Sequence, residues 1–323
     1  MSSVNIKNMH ESPLEPITLV VTCFNEENTV MSWCQSFLAM DKLPQELIIA
    51  DSDSTDGTIR KLREGLNGYK GQLVILEERC NIAAGRNKAI NSASHTKIAI
   101  TDFGVTFHPS WLTNISVNLD YYDWVGGVYE LVSSNPIEES FCRLFNTPIN
   151  KIDASSFLPS SRSFGVNRKV FEWVKGYNES LVIGEDTDLV LRLKSTNLTY
   201  HLVREAIVFW RPRSSIKLIF IQNFRYAYWD GLALQNLGRF KHIIFCVALL
   251  ATPILGALIF AVKGALLGLM LSISVLFIKT KINTRRSCSG TPRFSDMFVY
   301  VTTMFASGFG FICGVFYQIR RYK

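Results

Sequence analysis

Residues 46–58 read ELIIADSDSTDGT, and this stretch decides the fold. Its first five residues are mostly branched and apolar, a pattern typical of a strand that is buried on both faces of a parallel sheet. An acidic turn follows at once, and a helical pattern begins at Thr58. The stretch therefore predicts a strand, a polar turn and a helix in direct succession, which is the repeating unit of an α/β sheet.

The same unit recurs on both sides of this stretch. Strands are predicted at residues 17–22, 46–50, 72–76 and 97–101, and helices between them at residues 27–39, 58–66 and 82–92. Strands that alternate with helices favour a mainly parallel sheet covered on both faces. In such sheets ligands bind beyond the carboxyl ends of the strands, so the residues at those ends are the first candidates for a site.

Acidic side chains follow three of the four predicted strands. Glu26 lies after the first strand, Asp51 and Asp53 after the second, and Asp102 after the fourth. Carboxylates gathered at one sheet edge favour a cation, or a ligand that donates hydrogen bonds. The alternative is structural: carboxylates of the 51–56 turn also close Asx turns and cap the helix that begins near Thr58.

Composition excludes several classes of protein. Of the 323 residues, 48% are hydrophobic, 12% aromatic and 19% charged, which is unlike a disordered chain. The net charge of +7 is uneven, since residues 1–240 hold 24 basic and 26 acidic side chains while residues 241–323 hold ten basic ones and Asp296. A basic but apolar tail argues against nucleic-acid binding. The seven cysteines show no zinc-ligand spacing.

The tail contains three long uncharged runs. They cover residues 243–262, 264–278 and 297–319, and Lys263 alone separates the first two. Roughly 20 apolar residues suffice for a membrane span, so two or three spans are predicted. The loop 279–293 carries five basic residues and no acidic one, which favours a cytoplasmic loop and a cytoplasmic front domain. The number of spans and the side of the C-terminus stay open.

Basic and aromatic residues are mixed in the segment just before the first apolar run. Residues 211–240 combine arginines with phenylalanine, tyrosine and tryptophan. Such a composition next to a span is typical of an amphipathic segment that lies in the membrane interface. The predicted organisation is thus a polar tail (1–15), a catalytic domain (16–210), an interfacial segment (211–240) and a transmembrane region (241–323).

Five motifs, in order along residues 16–230, resemble those of the family 2 glycosyltransferases. They are Asn25-Glu26 after the first strand, the turn from Asp51 to Thr58, Gly85-Arg86-Asn87 in a helix, Gly184-Glu185-Asp186, and Gln222-Asn223-Phe224-Arg225-Tyr226. The last one is similar to the Q-x-x-R-W of membrane-bound members. The resemblance implies an α/β catalytic domain of the GT-A type, Rossmann-like with a mainly parallel sheet, followed by transmembrane helices.

The resemblance also implies which residues bind a nucleotide-diphospho-sugar donor. It places the base and ribose at Thr22, Glu26 and Asp51, with Arg86 at the same pocket. Gln222, Arg225 and Tyr226 are expected to close over donor and acceptor. The full expected donor set is Thr22, Asn25, Glu26, Asp51, Asp53, Arg86, Asp102, Arg162, Gln222, Arg225 and Tyr226.

The chain departs from the family at the metal motif. Asp102 stands where the family's D-x-D begins, but Gly104 replaces the second carboxylate. The resemblance implies Mn²⁺ or Mg²⁺ held at Asp102, yet hard divalent cations prefer several oxygen ligands. Either Asp102 ligates the metal with the diphosphate and water, or a cation such as Arg162 takes over part of its charge.

Asp186 and Glu185 are the expected catalytic residues. They open a predicted helix, 186–194, and the resemblance implies that they provide the general base. The structural alternative is that a carboxylate in the first helical turn is favoured by the helix dipole alone. A base opposite the leaving diphosphate would remove the acceptor's proton in one in-line displacement, which inverts the configuration of the sugar.

The sequence therefore predicts a multi-pass membrane hexosyltransferase on the cytoplasmic face, in surface polysaccharide biosynthesis. Its partners would be a nucleotide-diphospho-sugar, a lipid-linked glycan acceptor and membrane lipids, with no nucleic acid. Two alternatives remain: a processive polysaccharide synthase, and a non-catalytic membrane partner that binds nucleotide sugars. Donor, acceptor, linkage and oligomeric state are not predicted.

Overall fold

The computed structural model describes residues 15–234, 236–287 and 291–321, so the predicted polar tail lies almost entirely outside the described residues. Eight strands form one mixed sheet in the order β3-β2-β1-β4-β7-β6-β8-β5. The strands are β1 (Ile17–Cys23), β2 (Glu46–Asp51), β3 (Gln72–Glu77), β4 (Lys97–Asp102), β5 (Val105–Phe107), β6 (Trp124–Leu131), β7 (Phe164–Asn167) and β8 (Tyr200–Trp210).

The first four strands are the predicted ones, each one residue longer at its carboxyl end. β1 pairs in parallel with β2 and β4, and β2 pairs in parallel with β3. The register sets Cys23 beside Asp51 and Thr22 beside Asp102. The predicted convergence of three strand ends at one edge is therefore confirmed. The far half of the sheet is antiparallel, because β7 runs against both β4 and β6.

Ten helices accompany the sheet in the described part of the chain. They are α1 (Val30–Leu38), α2 (Thr58–Gly65), α3 (Ile82–Asn91), α4 (Trp111–Asn118), α5 (Pro136–Phe145), α6 (Arg168–Trp173), α7 (Glu185–Lys194), α8 (Ile216–Leu232), α9 (Phe240–Ser287) and α10 (Phe294–Arg321). Short 3-10 turns lie at Ile149–Lys151 and Leu237–Arg239.

Two apolar cores lie on the two sides of the sheet. On one side α1 buries Val30, Trp33, Cys34 and Phe37, which recur at the three- and four-residue spacing of a helix face. On the other side α3, α6 and α7 contribute to a second cluster, to which α7 supplies Leu189, Val190 and Leu193. Covering both faces is what the uninterrupted apolar strands require.

The chain divides into two compact units. The first comprises the described residues up to 129 together with 152–210, and the second comprises 130–151 and the described residues from 211 to 321. The first unit holds most of the sheet, and the second is largely helical. The sequence gives a boundary at 210, but it does not predict that the segment containing α5 groups with the C-terminal helices.

In the second unit α9 turns back on itself. The backbone leaves helical geometry at Phe260 and Ala261, where Ala261 has a φ of +49°. The two arms then run side by side: a Cβ on Gly256 would lie 2.1 Å from the carbonyl oxygen of Gly264, and Ser272 Oγ donates to the Leu249 carbonyl at 2.9 Å. The hairpin thus reverses two residues before Lys263, the residue that separates the first two uncharged runs of the sequence.

Within the described residues, two stretches are long and apolar enough to cross a membrane, Leu237–Arg285 and Phe294–Arg320. The first is the hairpin, and each arm is roughly 30 Å long at 1.5 Å per residue. Only 6% of its most apolar window is buried within the protein, against 50% for α10. Helices of this length and composition are compatible with membrane association.

Close helix packing in the second unit depends on glycines. In α10, a Cβ on Gly310 would lie 2.3 Å from the Phe224 carbonyl oxygen, and one on Gly314 would lie 2.1 Å from that of Tyr228. Gly310 and Gly314 are four residues apart, so together they form the small-residue stripe that allows two helix backbones to approach. α8 therefore runs alongside α10.

Gly256→Ala is expected to open the hairpin and to lower the melting temperature of the detergent-solubilised full chain. The added methyl overlaps the Gly264 backbone, and overpacking of this kind costs about 1–3 kcal/mol. Gly238→Ala is the matched control, because a Cβ there meets nothing within 4 Å. Equal melting temperatures for the two variants would contradict the close approach of the arms.

Candidate active site

The turn after β2 is closed by its first carboxylate. Asp51 is only 1% exposed, and its oxygens accept hydrogen bonds from Ser54 N at 2.8 Å and from Ser54 Oγ at 2.5 Å. Cys23 Sγ also donates to it, at 3.1 Å, across the β1–β2 pair. Asp51 thus has a structural role in closing its own turn, whereas its expected role in holding a nucleotide base stays a prediction.

The loop after β1 is fastened to the same turn. Asn25 has a left-handed φ of +53°, and its Oδ1 accepts a hydrogen bond from Thr55 N at 2.9 Å. Glu26 N donates to Thr58 Oγ1 at 2.7 Å. Thr22 is half-buried at the end of β1, and Asp53, with a φ of +62°, is exposed. Side-chain bonds therefore hold the two loops together as one rim.

Asp56 closes the end of this rim against α2. Its Oδ1 accepts a hydrogen bond from Thr58 N at 2.9 Å, while Gly57 occupies the N-cap position of the helix. Burial alone would raise the pKa of Asp56, but the hydrogen bonds from Thr58 and from the Glu27 backbone outweigh it and lower the pKa. The sequence-based expectation of a turn residue at this position is met.

The lowered pKa of Asp56 predicts how the rim responds to acid. A carboxylate with a depressed pKa in the folded state stabilises the protein above its unfolded value of about 3.9, and this contribution is lost as the pH falls through the folded value. In Asp56→Asn that contribution is absent at every pH. We expect a shallower fall of melting temperature below about pH 5 in the variant than in the parent. Parallel melting curves would contradict it.

Three charged residues of the first unit form a cluster around a buried arginine. Arg86, on α3, is 2% exposed; its Nη2 donates to Asp102 Oδ1 and its Nη1 to Glu185 Oε1, each at 2.7 Å. Asp102 ends β4, and Glu185 is the first residue of α7. The guanidinium therefore joins the carboxylate edge of the sheet to the helix that carries the Glu185-Asp186 motif.

Burial and neighbouring charges shift the pKa values of two groups in this cluster. Burial disfavours a charged guanidinium, yet Asp102, Tyr177 and Glu185 outweigh it and raise the pKa of Arg86. Burial raises the pKa of Glu185, although Arg86 opposes that shift. Arg86 thus remains a cation at any physiological pH. The Arg86 side chain is buried, with only 2% of it exposed, and its contact with a nucleotide base remains a prediction.

Tyr177 is a site residue that sequence reasoning missed. The Arg86 guanidinium lies 5.3 Å from the centre of its ring, and the Tyr177 hydroxyl is 2.8 Å from Ser161 Oγ. Asn87 positions it, because Asn87 Oδ1 accepts from Tyr177 N and Asn87 Nδ2 donates to the Tyr177 carbonyl. The available signal was Asn87 itself, directly after Arg86 in the R-N helix.

Asp186 follows Glu185 in the first turn of α7. It is half-buried, and its Oδ1 accepts a hydrogen bond from Thr187 N at 2.8 Å. Among the described residues no cation pairs with it. A carboxylate so placed retains acceptor capacity for an incoming hydroxyl group, which is the first geometric requirement for a general base.

The residues at the end of β4 do not fit a divalent metal held by protein ligands. Asp102 Oδ1 already accepts from Arg86, and Gly104 contributes no side-chain oxygen. No group of three His, Cys, Asp or Glu side chains within the described residues is arranged to hold a metal ion. A Cβ on Gly104 would meet nothing within 4 Å, so packing does not require glycine there.

Arg162 lies two residues before β7, the strand that pairs with β4. Its backbone carbonyl accepts from Thr101 Oγ1 at 2.8 Å. Its guanidinium stacks over Trp210, 4.5 Å from the ring centre, and lies 5.8 Å from that of Tyr129. The predicted cation is therefore held by aromatic rings, and in the described part of the chain it pairs with no carboxylate.

The Q-x-x-R-Y residues belong to the second unit. Gln222, Arg225 and Tyr226 lie on α8, where Gln222 Nε2 donates to the Tyr226 hydroxyl at 3.3 Å, and Arg225 and Tyr226 are exposed. The contacts of α8 described above are with α10. Closure of these residues over donor and acceptor stays a prediction.

Known proteins share parts of this sequence. Residues 18–167 match the model of the family described as Glycosyl transferase family 2. This range includes the loops after β1 and β2, Arg86, Asp102 and Arg162, but it ends before α7. A poly-beta-1,6-N-acetyl-D-glucosamine synthase of Staphylococcus epidermidis is 28% identical over 97 residues. That stretch covers 30% of this chain and only 23% of the relative.

Solved structures share the fold. The mannosyltransferase PcManGT of Pyrobaculum calidifontis, in complex with GDP-Man and Mn²⁺, has a TM-score of 0.55 at 15% identity, over 95% of this chain and 92% of that one. S. aureus TarS 1-349 in complex with UDP-GlcNAc has a TM-score of 0.51 at 12% identity, over 96% and 93%. The α/β domain thus has the fold of GT-A glycosyltransferases, and residues 18–167 of it match the family 2 model.

Proposed function

We propose that the chain is an inverting hexosyltransferase that moves a sugar from a nucleotide-diphospho-sugar to a hydroxyl group of a lipid-linked acceptor. The observation that carries the proposal is the Arg86 cluster. Arg86 ties Asp102, at the strand edge where the family's donor binds, to Glu185, whose neighbour Asp186 is the candidate base. Donor edge and base are thus connected through one buried cation.

In the proposed reaction Asp186 accepts the acceptor's proton as the hydroxyl oxygen bonds to the anomeric carbon. The bond from that carbon to the diphosphate breaks on the opposite face, so the configuration inverts. The leaving nucleoside diphosphate is already acidic and needs no proton, so a single carboxylate suffices. Glu185, held by Arg86, positions the start of α7 and therefore Asp186.

The rim of the first unit is the proposed nucleotide site. Thr22, Asn25, Glu26, Asp51 and Asp53 surround the ends of β1 and β2, and their loops are fastened together. The titles of the two solved relatives name GDP-Man and UDP-GlcNAc, which supports a nucleotide-sugar donor. Mn²⁺ or Mg²⁺ remains the family's expectation, but no step of the proposed mechanism is routed through it, because the ligand set does not fit.

The second unit supports a membrane-bound acceptor. Its hairpin exposes apolar side chains on both arms, among them Leu258, Phe260, Val262 and Leu267, each more than half exposed. Exposed apolar surface of this extent marks contact with another apolar phase. The basic residues of the stretch 279–293, of which 279–287 belong to the end of α9 rather than to the predicted loop, support a cytoplasmic catalytic domain. A lipid-linked glycan in surface polysaccharide biosynthesis would bring its acceptor hydroxyl to this face.

The test is release of free nucleoside diphosphate by the full chain in detergent. Each of a panel of nucleotide sugars is offered with a lipid extract from bacterial membranes, and separately with water-soluble sugars. We expect release with one donor and only with the lipid fraction. Equal release with soluble sugars would contradict the lipid-linked acceptor, and no release with any donor would contradict transfer itself.

A processive polysaccharide synthase is the second candidate. The partial match to a poly-beta-1,6-N-acetyl-D-glucosamine synthase favours it. Product length separates the two proposals: with radiolabelled donor, a single-transfer enzyme extends the lipid-linked product by one sugar, whereas a processive enzyme yields long chains at early times.

A further inference from the structure

In this protein the positive charge next to Asp102 is a side chain, that of Arg86. Arg86 Nη2 donates to Asp102 Oδ1, and Arg86 is held from the other side by Glu185 and by the Tyr177 ring. A divalent ion bound to the same carboxylate would lie within a few ångströms of this guanidinium. Two positive charges at about 4 Å repel one another, and the more so because the guanidinium is shielded from water.

The missing carboxylate strengthens this conclusion. Gly104 leaves Asp102 as the one acidic side chain at the end of β4. Mn²⁺ and Mg²⁺ take near-octahedral oxygen sets, commonly with one or two carboxylates among the ligands. Here a single carboxylate is offered, and one of its two oxygens is already engaged.

Arg162 supplies what the diphosphate of a donor needs. It lies just before β7, the strand that pairs with β4, and its carbonyl accepts from Thr101 Oγ1, the residue that precedes Asp102. Trp210 and Tyr129 hold its guanidinium without neutralising it, because an aromatic ring carries no net charge. The planar fork of an arginine can donate two parallel hydrogen bonds to phosphate oxygens.

We infer that this chain binds the donor diphosphate through Arg162 and without a divalent metal. In this arrangement Arg86 pairs with the Asp102 carboxylate and fixes its position. The inference rests on the proposed function for the identity of the ligand, a nucleoside diphosphate. It assigns Arg162 a direct contact with the ligand, and Arg86 the role of a positioning residue. No bond is made or broken in this step.

The test is calorimetric titration of the full chain in detergent with UDP, GDP, CDP and dTDP, first in EDTA and then in Mn²⁺. We expect one nucleotide to bind with a Kd that differs by less than about threefold between the two conditions. Arg162→Met should raise that Kd by about tenfold or more, and Arg162→Lys by less, because lysine keeps the charge but not the fork. Arg60→Met, at an exposed position on α2, is the control and should leave the Kd unchanged.

Each other outcome overturns the inference. A Kd that improves about tenfold or more with Mn²⁺ would show that the metal, and not arginine, carries the diphosphate. An unchanged Kd in Arg162→Met would remove Arg162 from the site. Binding of none of the four nucleotides would overturn the inference together with the nucleotide site.

The proposed function can fail separately from this inference. Metal-independent binding without sugar transfer would leave the inference standing and contradict the glycosyltransferase. Sugar transfer that requires Mn²⁺ would do the reverse.

Discussion

Asp186→Asn is expected to lower the rate of nucleoside diphosphate release by about 10²- to 10⁴-fold while leaving donor binding intact. The amide keeps the shape of the side chain but cannot accept the acceptor's proton. Asp186 touches no buried cation among the described residues, so its loss should not disturb the fold. The measurement compares the rate at saturating donor with the Kd of the same nucleotide sugar.

Asp188→Asn is the matched control for this variant. Asp188 lies in the same first turn of α7, and its carboxylate pairs with Arg192 at 2.8 Å on a partly exposed surface. Both substitutions remove one carboxylate from the same helix terminus, so a change in the helix dipole would affect them alike. The control should stay within about threefold of the parent rate, as expected for a partly exposed ion pair.

The two results together separate the candidate roles. Loss of turnover in Asp186→Asn with an unchanged Kd identifies an enzyme whose base is Asp186. Equal losses in both variants would indicate that α7 needs its first-turn charges for stability. If Asp186→Asn retains the parent rate, Asp186 is not the base.

Arg86→Met is expected to destabilise the full chain by about 3–5 kcal/mol. Glu185, which is only 7% exposed, would then have no counter-ion, and the Asp102 carboxylate would also lose its partner. At roughly 2–4 °C per kcal/mol for a unit of this size, the melting temperature should fall by about 10 °C. Scanning fluorimetry of the detergent-solubilised protein measures it.

A second substitution tests whether buried charge is the cause. The double variant Arg86→Met, Glu185→Gln replaces Glu185, the more buried of the two carboxylates, by a neutral amide, and water can hydrate the more exposed Asp102. We therefore expect the double variant to regain a substantial part of the stability lost in Arg86→Met. Arg60→Met, whose exposed side chain pairs with Glu64 at 3.1 Å, should change stability by less than about 1 kcal/mol. A double variant as unstable as Arg86→Met alone would assign the loss to packing instead.

Local patterns predicted much of the fold. The four parallel strands and the helices between them could be predicted, because apolar runs and turn residues determine secondary structure within a few neighbouring residues. α1 is shorter than predicted, starting at Val30 rather than at residue 27, because residues 25–29 bond to the turn after β2 and to one another. A contact between loops some 30 residues apart leaves no periodic signal in either one.

The candidate site was predictable in its residue types but not in its contacts. Arg86 and Glu185 are separated by 99 residues, and no spacing rule connects them. The motif order suggested that Arg86 lies at the nucleotide pocket, whereas the structure shows its guanidinium between two carboxylates and a tyrosine ring. Similarly, Arg162 was recognisable as a cation, but its support by Trp210 and Tyr129 depends on how β6, β7 and β8 pair.

The grouping of residues 130–151 with the C-terminal helices has a practical consequence for anyone who wants a soluble fragment. α5 packs Leu144 against Ile219 and Val299, and Arg143 Nε donates to the fully buried Asp296 at 3.1 Å. A chain cut at residue 210 would keep α5 but lose every one of these partners. Such a fragment would expose the apolar face of α5 to water. Production without detergent therefore requires replacing α5 as well as removing the residues after 210.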